Sequence, residues 1–257
     1  MRLRRALKKV PTLMGHDMKK RYWSKTALPG ILKDAAAVLM YLFVFSLCFD
    51  VPAITGKNYA LWLFAGLVPW LAFRDGFTGA AGAIGEYGRV LTNAGISPPI
   101  AIFARALSSL AVYLIPFIAL ILWAALDGGL SAGAPMAIYF LVCAVLTAFT
   151  QGLLAGALGL LLPAAGDGYA LGMFVAFWLA PVAWPIEALP EIWRRMVHMN
   201  PLFYVVGGMR QSLFGGAPVL TLPIAVWFYA VTVLALVAGL LILKRLRVQM
   251  PQLISWR

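Results

Sequence analysis

Apolar residues gather in runs of about 20, each closed by a charge, a glycine or a proline, and a run of that length crosses the hydrocarbon of a bilayer as one helix. Six such runs are predicted as spans, at about 31–49, 59–79, 101–125, 135–162, 169–186 and 219–243. The first 30 residues follow a different rule. Leu3, Leu7, Val10, Met14, Met18 and Tyr22 recur every three or four positions, while Arg4, Arg5, Lys8, Lys9, Lys19 and Lys20 fall off that stripe. The spacing predicts an amphipathic helix lying in the membrane interface, basic side toward water, with Pro11 as the position that works against it. No apolar core of signal-peptide length and no small-residue cleavage site follows the basic start, so the segment reads as retained.

Two further stretches depart from the pattern. Residues 80–100 are too glycine-rich and polar for a span, and are expected to form a loop with a short helix from Glu86-Tyr87 to Leu91-Thr92 across the cytoplasmic face. Pro98-Pro99 then resets the chain; a passive connector is the plainer alternative. Residues 180–216 hold Pro181, Trp184, Pro185, Pro190, Trp193 and Pro201, and cannot cross a membrane as one helix. A short amphipathic helix is predicted after Leu189-Pro190-Glu191, and another from Asn200-Pro201 to Gly215-Gly216, both dipping into the outer half of the membrane as re-entrant elements.

Composition fixes the solvent. Hydrophobic residues make up 63% of the 257 and charged ones 12%, against roughly 45–50% and 25% in a soluble domain, and mean hydropathy is +0.89. A soluble globule and a disordered chain are both excluded. Cys48 and Cys143 lie inside apolar runs and report no redox compartment. The net charge of +12 would suggest nucleic acid in a soluble protein, yet ten cations precede residue 34 and four follow residue 243. With an even number of spans, 17 cations fall on the side of both termini and four on the other. Cytoplasmic loops carry that excess, so the N- and C-termini are expected inside. The expected fold is all-α and polytopic: a cytoplasmic interfacial helix over 1–30 and a six-span domain over 31–257. Within the latter lie a coupling segment at 80–100, an outer segment at 187–216 and a basic tail at 244–257.

The titratable inventory points away from catalysis. His16 and His198 fall on opposite sides, and Asp17 reads as a solvated partner of His16. Asp34, Arg74, Asp75 and Arg105 sit at span ends, where they reach headgroups or snorkel, and no span carries an ionisable group at mid-membrane. Gly56-Lys57 is the only Gly-Lys pair and lacks the rest of a phosphate-binding loop. No catalytic, cofactor or metal residue is assigned, so energy for uphill movement must come from another chain. Trp23, Trp70, Trp123, Trp184, Trp193 and Trp256 suit an interfacial belt. Tyr41, Phe45, Trp62, Phe64, Phe174, Phe177 and Trp178 lie deeper; their faces stack on sugar rings if they line a path and fill space if they do not.

The order of these segments resembles the membrane subunit of bacterial ABC exporters for surface polysaccharides, the O-antigen, capsule and teichoic-acid permeases of the type-2 ABC transporter superfamily. The likeness runs through Asp17-Met-Lys-Lys-Arg-Tyr22, Leu28-Pro-Gly30, Tyr41-Leu-Phe-Val-Phe-Ser46 and Tyr59 to Trp70. It continues in Pro181-Val-Ala-Trp-Pro-Ile-Glu-Ala-Leu-Pro190, Asn200 to Arg210 and Phe214-Gly-Gly216, covering nearly the whole chain. Ile96-Ser-Pro-Pro99 departs from it, standing where such proteins often have a basic-aromatic-Pro element. The resemblance implies an inner-membrane homodimer enclosing a path for a lipid-linked polysaccharide, with no nucleic acid involved. Two cytoplasmic ABC ATPase subunits would bind ATP and Mg, leaving this chain without a cofactor. It further implies that the seven deeper aromatics line the path and that Glu86, Tyr87, Arg89 and Leu91 couple to the ATPase. Trp184, Glu187, Glu191, Trp193, Asn200 and Pro201 would form an outer gate. A permease for a small hydrophobic drug or lipid, and an intramembrane transferase, are the alternative readings.

Overall fold

The computed structural model describes residues 9–22, positions 36, 38–41 and 43–44, and then 58–94, 96–128, 130–162, 165–216 and 220–246. The regular structure among them is helical throughout. Helix α1 (Val10–Tyr22) precedes α2 (Tyr59–Ala94) and α3 (Pro98–Leu126), and a 3-10 turn at Ala134–Met136 leads into α4 (Ala137–Leu161). Then come α5 (Ala165–Leu179), a 3-10 turn at Ile186–Ala188, α6 (Glu191–His198), α7 (Pro201–Phe214) and α8 (Leu222–Leu246). The predicted first span, the start of the leader and the basic tail beyond Leu246 fall largely outside the described residues.

Among the described residues three helices are long and apolar enough to cross a membrane: α3, α8, and α4 together with its leading turn. Their burial differs. The most apolar stretch of α4 is 61% buried, whereas those of α3 and α8 are 28% buried, so α4 runs through the interior and the other two turn most of their surface outward. Helix α2 is the second interior element, and every residue from Leu61 to Phe73 is buried. The two interior helices approach closely because α4 presents Gly152 and Gly156 to α2. A Cβ at Gly152 would stand 2.5 Å from Ala80 Cβ and 3.0 Å from the Phe77 carbonyl oxygen, and one at Gly156 would stand 3.0 Å from the Ala81 oxygen. Small residues four apart permit this backbone contact, a main source of attraction between helices in lipid.

The 80–100 segment departs from expectation. No separate cross-helix forms; α2 continues unbroken to Ala94. At about 1.5 Å per residue its 36 residues span ~54 Å, well beyond the ~30 Å of hydrocarbon. Gly82 and Gly85 have open space around their Cα atoms. A helical glycine costs only ~1 kcal/mol relative to alanine, too little to end a helix whose preceding turns are packed on α3 and α4. Ser97 is extended and Pro98 begins α3. Helix α5 is shorter than the predicted 169–186 span, ending at Leu179 just before Pro181.

Candidate functional site

Polar side chains meet at the two ends of α2. At the end where α6 and α7 pack, α7 starts as its sequence directs: Asn200 Oδ1 accepts from the Leu202 N–H at 3.0 Å, and Pro201 takes the first turn, where no N–H partner is needed. It stops at Gly215 and Gly216, whose φ values of 73° and 94° suit residues without a Cβ. The cation of this helix, Arg210, points inward. Its Nε donates to the Trp62 carbonyl at 3.1 Å, and Nη1 and Nη2 donate to the carbonyls of Pro181 and Val182 at 2.5 Å each. The guanidinium carbon lies 3.3 Å above the Trp62 ring centroid, a cation–π contact. Gly66, one turn beyond Trp62, makes the seat: a Cβ there would run into Arg210 Nη2 and come within 3.0 Å of the Val182 oxygen. Tyr59 grips the same turn by donating to the Ala183 carbonyl at 2.5 Å, its ring stacked on Trp62 at 5.6 Å. Arg210, one of the four cations expected on the outer side with Lys57, Arg194 and Arg195, is instead buried.

At the opposite end, α1 is tied to the bundle. Asp17 is only 4% exposed, its Oδ1 lies 3.2 Å from Arg105 Nε, and it accepts from the Tyr87 hydroxyl at 3.3 Å. Arg105 lies across Gly79 of α2, where an added Cβ would be 2.5 Å from Cζ. The solvated Asp17–His16 pair and the snorkelling Arg105 expected from the sequence are therefore replaced by a buried ion pair. The reason is placement: Asp17 falls three residues after Met14 and seven after Val10, on the side of α1 that packs against the bundle. His16 instead meets Tyr87 edge-on at 6.2 Å. The Tyr87 phenol is pushed up to about 12, by burial first and then by the negative charges of Asp17 and Glu86. Glu86 itself is exposed, and Arg89 and Leu91 lie further along α2.

The aromatics assigned to a path divide. Trp62, Phe64 and Phe177 are buried within the chain: Trp62 beneath Arg210, Phe64 against Trp123 at 6.0 Å, and Phe177 against Trp70 at 5.4 Å and Tyr41 at 5.1 Å. Phe174 and Trp178 are exposed on α5, edge-to-face at 6.5 Å. Phe45 lies outside the described residues.

Among the residues assigned to an outer gate, Trp184 donates from Nε1 to the Trp178 carbonyl at 3.3 Å and packs on Ile186, Val197 and Phe203. Glu187 is exposed; its carbonyl and that of Leu189 accept from Arg194 Nη2, which fastens the turn to α6. Glu191 pairs with Arg195 at 2.6 Å on the surface of α6, and Trp193 is exposed beside Ile192 and Met196. Burial, and next the charge of Arg194, hold the His198 imidazole below its ordinary value.

Long apolar helices around a buried central pair, with short helices packed on one end, define a multi-pass membrane protein whose interior polar contacts hold helices together. The chain belongs to the ABC-2 type transporter family, whose pattern it matches over residues 12–214. It is thus the permease subunit of an ABC exporter, a transport subunit rather than a catalytic enzyme, and its family implies association with an ATPase partner. No curated protein matches the chain.

Proposed function

We propose that this permease exports a lipid-linked polysaccharide across the bacterial inner membrane, acting as a homodimer over two cytoplasmic ATPase subunits with both termini inside. The observation that supports this reading best is the segment between the fifth and last apolar runs, which folds as the short helices α6 and α7 instead of a span. Together with the basic leader helix it reproduces the order of elements in which the chain resembles polysaccharide permeases. The exposed ring pair of Phe174 and Trp178 on α5 also suits a polymer, since aromatic faces accept successive sugars without fixing one hydrogen-bond pattern. In this reading Glu86, Tyr87, Arg89 and Leu91, at the far end of α2, face the ATPase, and α6–α7 close the outer mouth.

Deletion of the gene, with complementation by the intact copy, tests the assignment. The expected result is loss of the surface polymer and accumulation of lipid-linked glycan on the inner side. Unchanged surface polymer, with a small hydrophobic compound retained in the cells instead, would favour the drug or lipid exporter.

A further inference from the structure

Arg210 is buried in an unusual setting. Its three nitrogens bind main-chain carbonyls from two other segments, α2 and the turn leaving α5, while its Cα belongs to α7. Among the described residues no carboxylate stands within ion-pair distance of it. A guanidinium used only as a permanent brace is best buried against an anion, because desolvating a charge costs several kinds of water contact that carbonyls replace only in part. If α7 lifted, the charge would regain hydration, which would offset part of the hydrogen bonds broken. The boundaries of α7 suit movement as a unit, with Asn200 capping its start and two positive-φ glycines ending it.

We infer that Arg210 is a positioning residue for export: a latch that holds α7 closed on α2 and on the 181–182 turn, and whose release opens the end of the bundle carrying α6 and α7. This rests on the proposed placement of α6–α7 at the outer mouth. It adds the residue that sets the closed state and the acceptors it lets go.

The test uses the complete permease–ATPase complex in cells, with Cys48 and Cys143 replaced by serine and a reporter Ala183→Cys beside the latch. Ala183 is buried, and its carbonyl contact with Tyr59 survives a side-chain change. With Arg210 present, labelling by a membrane-impermeant maleimide is expected to be slow in the resting complex and fast during ATP turnover. Arg210→Gln is expected to raise resting labelling by about tenfold, the scale of losing a charge-assisted hydrogen bond, and to flatten its nucleotide dependence. Arg210→Lys should restore part of that dependence. Should Arg210→Gln prevent assembly, Trp62→Leu, which removes the ring beneath the guanidinium, should give an intermediate rise. Nucleotide-dependent labelling identical to that of the parent in these variants overturns the latch, as does a reporter that stays unlabelled in every state while an exposed Glu191→Cys control is labelled. Failure of the Glu191→Cys control itself would overturn the outer placement of α6–α7.

Discussion

Two arginines, one buried and one half-buried, sit on glycines of the same helix and are held in opposite ways. Arg105, at the α1 end, lies over Gly79 and faces a carboxylate that also receives the Tyr87 hydroxyl. Arg210, at the α6–α7 end, lies by Gly66 and is held at contact distance by carbonyls and an indole, with the carboxylate of Glu187 acting on it from farther away. The seats are 13 residues apart, or ~20 Å along α2. An ion pair depends on charge and partner identity, so it fixes α1 to one place. A carbonyl cradle depends on backbone geometry alone, so it reads whether α7 and the turn after α5 are in position. One end of α2 is a rivet and the other a catch.

The largest effect should come from filling the catch. Gly66→Ala places a methyl against a locked guanidinium and close to a main-chain oxygen, and is expected to cost about 3 kcal/mol through overpacking and a lost hydrogen bond. Thermal unfolding of the purified permease should show it as a lower midpoint, with export lost. The parallel change Gly79→Ala meets the far end of a side chain with more freedom, and a loss equal to that of Gly66→Ala would break the distinction between the seats.

Next in size is Asp17→Asn, which leaves Arg105 without its anion. Removing one partner of a buried pair costs about 3–5 kcal/mol; with the Arg105 side chain 12% exposed, about 2 kcal/mol is expected here. The double change Asp17→Arg with Arg105→Asp should recover about half of that, since the Tyr87 hydroxyl then meets the wrong charge. No such exchange exists for Arg210, because carbonyls cannot be given the opposite charge. A double-mutant cycle on stability that shows no recovery would mean that the ion pair does not hold α1.

A smaller signature lies in pH. The Tyr87 phenol is raised to about 12 from an ordinary 10, so the folded state holds a proton that the unfolded chain gives up first. Its contribution is therefore full below pH 10 and is lost as pH rises from 10 through 12. Tyr87→Phe should flatten that part of the stability profile; an unchanged slope between those limits contradicts the assignment. Least affected of all should be Gly82→Ala, where nothing lies within 4 Å. It is expected to leave stability unchanged or to raise it by up to ~1 kcal/mol.

The sequence made α3, α4 and α8 legible, because long apolar runs between breakers carry their own evidence of helix and of solvent. It misled at 80–94, where glycine and polar residues suggested a loop while packing on α3 and α4 carried α2 onward. The starts of α6 and α7 were readable from Pro190 and Asn200-Pro201, since caps act locally. Arg210 and Asp17 were not, because counting charges by side assumes that each reaches water. Signals were nevertheless present: Arg210 is the single charge of α7 and follows an unbroken apolar stretch from Leu202 to Met209, and Asp17 interrupts the apolar stripe of α1. A lone charge on an apolar face reads better as a buried contact than as a surface cation. Gly152 and Gly156, four apart, were likewise visible as a site of close helix approach.

Export of a lipid-linked polysaccharide by this permease is tested most directly by purifying the chain from its native membranes under conditions that keep complexes intact, followed by ATPase assay and identification of bound lipids. A stoichiometric ATPase subunit, vanadate-sensitive turnover and a lipid-linked glycan in the eluate are expected. Recovery of the chain alone, with no nucleotide hydrolysis and no glycan, would contradict such export.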